Sequence, residues 1–201
     1  PRSGRIQNDK VWAWTAGSGA ADVRFLSAVV EHLVAQENVD PRRVFLAGHS
    51  SGAFLTYWMA CQYAGSFAGY AAFSGAVRAE WSCSPRAPIN FLEVHGRDDV
   101  AVPFEGSERF TATMDTMVHL RDTLGCDEKS SHSQNELRHD DVWACRNKTA
   151  LKLITLPNAG HDAPLSLVRS DMWEFFMRPT AKRQAAIDRL RKRSCSLRRR
   201  K

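Results

Sequence analysis

Arg43-Val44-Phe45-Leu46-Ala47-Gly48-His49-Ser50-Ser51-Gly52, running on into Ala53-Phe54-Leu55-Thr56-Tyr57, is the stretch on which the fold turns. The apolar run over 43–47 has strand length, closes at Gly48 and gives way to a helical pattern over 52–63. Between the two, residues 48–52 fit G-x-S-x-G. A strand that enters a helix through such a turn lifts the Ser50 hydroxyl above a parallel sheet, and the two glycines are expected to let the strained turn pack without a clash. Read alone, the same residues also fit an ordinary glycine-rich strand-to-helix turn.

Outward from this point the chain alternates. Upstream, residues 20–36 read as an amphipathic helix, with Val23, Leu26, Val29, Val30, Leu33 and Val34 on one stripe and Asp22 in the first turn. Downstream, 69–73 and 89–94 read as strands, 105–124 as a helix, 126–146 as a polar loop, 150–156 as a fourth strand and 165–177 as a closing helix. Val11–Thr15 is a candidate stub of a further strand. Strand and helix in succession imply an α/β fold, a mainly parallel sheet with helices on both faces. The expected division is one α/β domain over 1–178 and a basic tail, frayed helix or disordered, over 179–201.

A neutral serine is a poor nucleophile, so Ser50 needs a base, and the base needs a partner to fix its tautomer. Two strand-to-loop junctions supply candidates. His95-Gly96-Arg97-Asp98-Asp99 follows one strand, and Asn158-Ala159-Gly160-His161-Asp162 follows another. Both lie past the C-terminal end of a strand, where open parallel sheets place their ligands. The order Ser50, Asp99, His161 is that of α/β-hydrolases, with Asp98 as the rival acid. Ser51 contributes a backbone N–H, the expected oxyanion donor. His49, His32 and His119 read as bystanders on helix or turn surfaces. His132 and His139 lack ligand spacing, so neither metal nor cofactor is expected.

The formal charge of +6 is unevenly distributed. Residues 178–201 hold 11 of the 28 Lys and Arg and one of the 22 Asp and Glu, which leaves the body mildly acidic. Such a run reads as a solvated arm; contact with nucleic acid or an anionic surface is the lesser expectation and is confined to this tail. No apolar run has the length of a membrane span. Five cysteines (Cys61, Cys83, Cys126, Cys145 and Cys195) suit an exported protein with two disulfides and one loose thiol. No charged-then-apolar leader is read in 1–10, and a chain opening at Pro1 is expected to be cut from something longer.

These segments resemble the family of secreted poly(3-hydroxybutyrate) depolymerases, feruloyl esterases and acetylxylan esterases. The resemblance is carried by Asp22-Val23-Arg24-Phe25-Leu26, Val39-Asp40-Pro41, residues 48–61, the run His95-Gly96-Arg97-Asp98-Asp99-Val100-Ala101-Val102-Pro103-Phe104, Cys145-Arg146, Gly160-His161 and Trp173-Glu174-Phe175-Phe176. It implies a serine esterase of the α/β-hydrolase fold that is secreted and acts on plant cell-wall esters or short polyesters. It also implies Asp99 rather than Asp98 as the acid, and a disulfide between Cys126 and Cys145. Cys61 with Cys83 is a weaker guess. The residues around His161 depart from the family pattern, in which an aromatic residue follows the histidine at the second position. The family's first strands and their oxyanion loop are expected before Trp14, so the domain is expected to be N-terminally incomplete. Two other readings stay open: a truncated, non-catalytic relative using its basic tail as a contact, and a peptidase with the same three residues.

Overall fold

Alternation along the central strands sets the architecture. In the computed structural model, which describes residues 19–37, 39–128, 131–162 and 165–178, strand β3 (Phe91–Gly96) is buried along its whole length. Phe91 faces one apolar cluster with Tyr70, Ala72, Leu151 and Leu153, whereas Leu92 and Val94 face another with Ala71, Phe73, Ile154 and Leu156. A strand presents successive side chains to opposite faces. Two faces each covered by apolar groups therefore define a central sheet with a layer on either side.

Six strands form that sheet: β1 (Leu46–His49), β2 (Tyr70–Phe73), β3, β4 (Ser131–Gln134), β5 (His139–Ala144) and β6 (Ala150–Leu156). Their spatial order is β1-β2-β3-β6-β5-β4. The first four in that order run parallel, and β5 and β4 close the edge as an antiparallel hairpin. On one face lies α2 (Ser51–Gln62), a helix with eight buried residues, together with α3 (Thr113–Leu124). Val23 and Leu26 of α1 (Gly19–Gln36) pack against the same cluster. On the other face, α4 (Arg169–Met177) buries Phe175 and Phe176, and Phe176 stacks on Phe45 at 4.5 Å.

Several boundaries depart from the sequence reading. The stretch expected as a polar loop over 126–146 contains β4 and β5. Every residue of β4 is exposed and only Trp143 of β5 is buried, so no apolar alternation announces them. Charge secures the hairpin instead: Arg138 bonds Asp140 and Asp171 of α4, and Lys152 of β6 reaches both carboxylates. An edge strand clothed in polar groups also resists pairing with another chain. The helix expected from 105 begins at Thr113. Residues 105–112 turn back instead, so that Phe110 bridges to Arg78 and stacks on Phe54 at 5.3 Å. The closing helix is interrupted, with a 3-10 turn over Leu165–Leu167 preceding α4. Strand β3 extends two residues beyond the expected Val94, through His95 to Gly96.

Two disulfides tie the periphery to this core. Cys61, in the last turn of α2, is joined to Cys83, and Cys126, just past α3, is joined to Cys145, just past β5. Val11–Thr15, Cys195 and the basic tail lie outside the described residues. Among the described residues no helix is long and apolar enough to cross a membrane.

Candidate active site

Ser50 stands between β1 and α2 in a conformation that serine rarely adopts, φ 53° and ψ −115°. A positive φ in a residue with a Cβ carries strain and persists only where the surroundings impose it. Here the Ser50 N–H donates to the Phe73 carbonyl at 2.9 Å, and the Ser50 carbonyl accepts from Ala53 and Phe54 at 2.9 and 3.1 Å. Gly48 makes the turn sterically feasible, because a Cβ there would collide with the Gly52 carbonyl. Gly52 does not share that duty: a Cβ at this position would meet open space, contrary to the expectation that both glycines relieve a clash. Ser51 is the first residue of α2, where backbone N–H groups have no acceptor within the helix.

His161 lies in the loop after β6, and its ring spans the gap between two other loops. Nε2 is 2.9 Å from Ser50 Oγ, and Nδ1 is 2.9 Å from Asp99 Oδ2. An N–H at Nδ1 directed to the carboxylate leaves Nε2 as the acceptor for the Ser50 hydroxyl. Asp99 is buried, and its Oδ1 accepts from the backbone N–H groups of Ala101 and Val102 at 2.9 and 2.8 Å. Asp98, the rival acid, is exposed and enters through its backbone N–H, which donates to the Ala159 carbonyl at 3.0 Å. That contact and the bond from Arg97 N–H to Leu156 clamp the Asp99 loop to the His161 loop. The seam is tight enough that a Cβ on Gly96 would strike the Ala159 and Gly160 carbonyls. Asp162 is exposed.

His49 is not a bystander. Its Nε2–H donates to the His161 carbonyl at 3.0 Å, with the two rings 5.1 Å apart. His119 is also engaged, through Nε2 to the Cys83 carbonyl at 2.6 Å, which fastens α3 to the disulfide loop. His132 pairs with Asp141 at 3.0 Å on the hairpin, far in the sheet order from β1.

Sequence reasoning missed a second layer behind Asp99. Glu93 and His95 project from β3 toward α2 and are fully buried. Glu93 Oε1 lies 3.0 Å from His95 Nδ1, and Glu93 Oε2 accepts from the Tyr57 hydroxyl at 3.0 Å. His95 Nε2 lies 2.9 Å from the Val102 carbonyl and 3.4 Å from Asp99 Oδ2. Burial pushes the Glu93 carboxyl up to about 7, against the bonds from His95 and Tyr57 that favour its ionised form. For His95, burial opposes the charged ring, yet the bonds to Glu93 and Val102 prevail and raise it above the usual histidine value. Burial and the neighbouring Glu93 charge together raise Tyr57 well above the ordinary phenol value. The signal was available: residues two apart on a strand share a face, so Glu93 and His95 belong together once β3 runs to Gly96.

A mainly parallel sheet whose C-terminal rim carries a strained serine after β1, an acid after β3 and a histidine after β6 is the arrangement of the α/β-hydrolase fold. An acetyl xylan esterase from Aspergillus awamori shares the fold, with a TM-score of 0.59 and 17% identity over 82% of this chain and 70% of that one. The chain belongs to the family described as Esterase PHB depolymerase, whose match spans residues 2–125 and so includes the loops of Ser50 and Asp99. Among curated relatives, a probable feruloyl esterase C from Aspergillus niger is 31% identical over 83% of this chain and 60% of its own length. A bifunctional acetylxylan esterase/xylanase from Neocallimastix patriciarum is 26% identical over 78% of this chain and 23% of its own. The chain thus spans less than two thirds of the length of these relatives.

Proposed function

We propose that the protein is a secreted serine esterase that hydrolyses carboxylic esters, with feruloyl or acetyl esters of plant cell walls as the substrate class. The observation that carries this reading is the hydrogen-bonded row Ser50–His161–Asp99 at the rim of the sheet, at 2.9 Å for each link. In the proposed reaction His161 Nε2 takes the Ser50 proton as Oγ attacks the ester carbonyl. The tetrahedral oxyanion leans on the Ser51 N–H. His161 then returns the proton to the leaving alcohol, and water repeats the sequence to release the acid. Asp99 holds the imidazole by Nδ1 and stabilises the imidazolium. The substrate class is supported by the relatives named feruloyl and acetylxylan esterases, and secretion by the two disulfides.

The test compares hydrolysis of p-nitrophenyl acetate and methyl ferulate by the parent chain and by Ser50→Ala. Turnover of either ester by the parent, reduced by more than about 10³-fold in the variant, is the expected result. Equal turnover in the two proteins overturns the assignment.

A further inference from the structure

We propose that the buried Glu93–His95 pair is a positioning device for Asp99: His95, anchored at Nδ1 by Glu93, keeps an N–H at Nε2 aimed at the corner formed by the Val102 carbonyl and Asp99 Oδ2. This rests on the reading of Asp99 as the partner of the base.

Packing alone does not call for these residues. A carboxyl and an imidazole enclosed beneath a helix are costly to bury, and apolar groups of similar volume fill such space without that cost. The geometry supplies a reason for keeping them. Glu93 Oε1 lies 3.0 Å from His95 Nδ1, a contact met either by a protonated carboxyl donating to the ring or by a charged ring donating to the carboxylate. A carbonyl oxygen only accepts, so the contact with Val102 places a hydrogen on Nε2. That hydrogen is directed to the Val102 carbonyl at 2.9 Å, with Asp99 Oδ2 at 3.4 Å. The Val102 peptide is therefore held from both ends, since its own N–H donates to Asp99 Oδ1 at 2.8 Å.

Loss of the anchor has a defined consequence. A neutral imidazole is free to carry its proton on either nitrogen, and the bond made by one nitrogen decides the state of the other. A bare Nε2 lone pair facing a carbonyl and a carboxylate would repel both and loosen the Asp99 loop. The Tyr57 hydroxyl, donating to Glu93 Oε2, holds the anchoring carboxyl in place. Thr113 Oγ1, 3.3 Å from His95 Nδ1, and the Phe104 ring, edge-on with its centroid 5.7 Å away, complete the enclosure. Among the described residues, the ionisable side chains around His95 are thus Tyr57 from α2, Glu93 on β3 itself and Asp99 from the following loop.

Two substitutions separate positioning from packing. His95→Gln places an amide N–H near the Nε2 position, whereas His95→Asn reaches only the Nδ1 position and keeps the Glu93 contact. The proton between His161 Nδ1 and Asp99 Oδ2 is read by NMR as a far-downfield resonance, assigned by its absence in His161→Gln. The resonance should persist in His95→Gln and be lost in His95→Asn, with both variants folded by circular dichroism. In p-nitrophenyl acetate hydrolysis, kcat should fall about 10–100-fold in His95→Asn with KM changed less than about twofold, and should stay within about threefold of the parent in His95→Gln. An unaltered resonance in His95→Asn, or equal loss in both variants, overturns the proposal. Ser50→Ala keeps the two readings apart: it should end turnover and leave the resonance intact, so the resonance decides the positioning role independently of turnover.

Discussion

The side chain of His49 bonds the backbone of His161: Nε2–H to carbonyl oxygen, 3.0 Å, across 112 positions of sequence. The residue before Ser50 thereby holds the loop that carries the histidine facing it. An exposed hydrogen bond of this kind contributes about 1 kcal/mol at most. His49→Ala should therefore lower kcat for p-nitrophenyl acetate about fivefold while leaving the thermal midpoint within a few degrees. A kcat equal to that of the parent would show that the His161 loop is held without it.

Gly96 should be intolerant of any side chain. A methyl group there meets the Ala159 and Gly160 carbonyls at the seam between the Asp99 and His161 loops. Since backbone on both sides must move, Gly96→Ala is expected to cost about 1–3 kcal/mol in urea unfolding. Activity should fall further than stability implies, because the displaced segment carries His161. Gly52→Ala, with open space around it, is the matched control and should be nearly silent in both measurements.

Removing the Cys126–Cys145 bridge by a double alanine substitution should reduce stability by about 3 kcal/mol, through the freedom restored to the unfolded chain across a separation of 19 residues. The melting temperature should drop by about 6–12 °C, with little change in KM, since the bridge joins the far ends of α3 and β5 rather than the rim. Calorimetry of the parent and the variant under identical conditions measures this.

The charge cluster that holds the hairpin implies an acid-dependent contribution of definite sign. Asp171 is lowered by its bond from Arg138. Asp140, pushed upward by burial, is nevertheless lowered by Arg138 and Lys152. A carboxylate whose folded pKa lies below its unfolded value stabilises the fold above the unfolded value, near 4, and loses that contribution as the pH falls through the folded value. Arg138→Met should therefore cost on the order of 1 kcal/mol at pH 7, and progressively less as the pH falls from about 5 toward 2. Urea titrations at pH 7 and pH 3 compare the two; a penalty that grows on acidification would contradict this account.

The same cluster explains what the sequence conceals. Strands β1, β2, β3 and β6 are legible because each is an apolar run ended by turn-forming residues, and the placement of Ser50, Asp99 and His161 at one rim follows from their positions after such runs. The hairpin β4–β5 is not legible, because its cohesion comes from Arg138, Asp140, Lys152 and Asp171, which lie on separate elements and show no periodicity along the chain. The N-terminal limit of α3 is hidden for a related reason: Phe110 continues the helical spacing of Met114 and Met117, yet its contacts are with Phe54 and Arg78. The inner pair is obscured by a boundary. A strand ended at Val94 turns His95 into a loop residue and severs it from Glu93.

Strand β3 is two-sided in chemistry as well as in shape. Leu92 and Val94 meet the phenylalanines of α4, while Glu93 and His95 meet Tyr57 and Asp99. A shift of one residue in its pairing would press a carboxyl and an imidazole into the oily layer and leave leucine and valine before a phenol that has lost its acceptor. Misalignment is thus penalised on both faces at once, so the strand that carries the acid loop is held firmly against sliding during assembly.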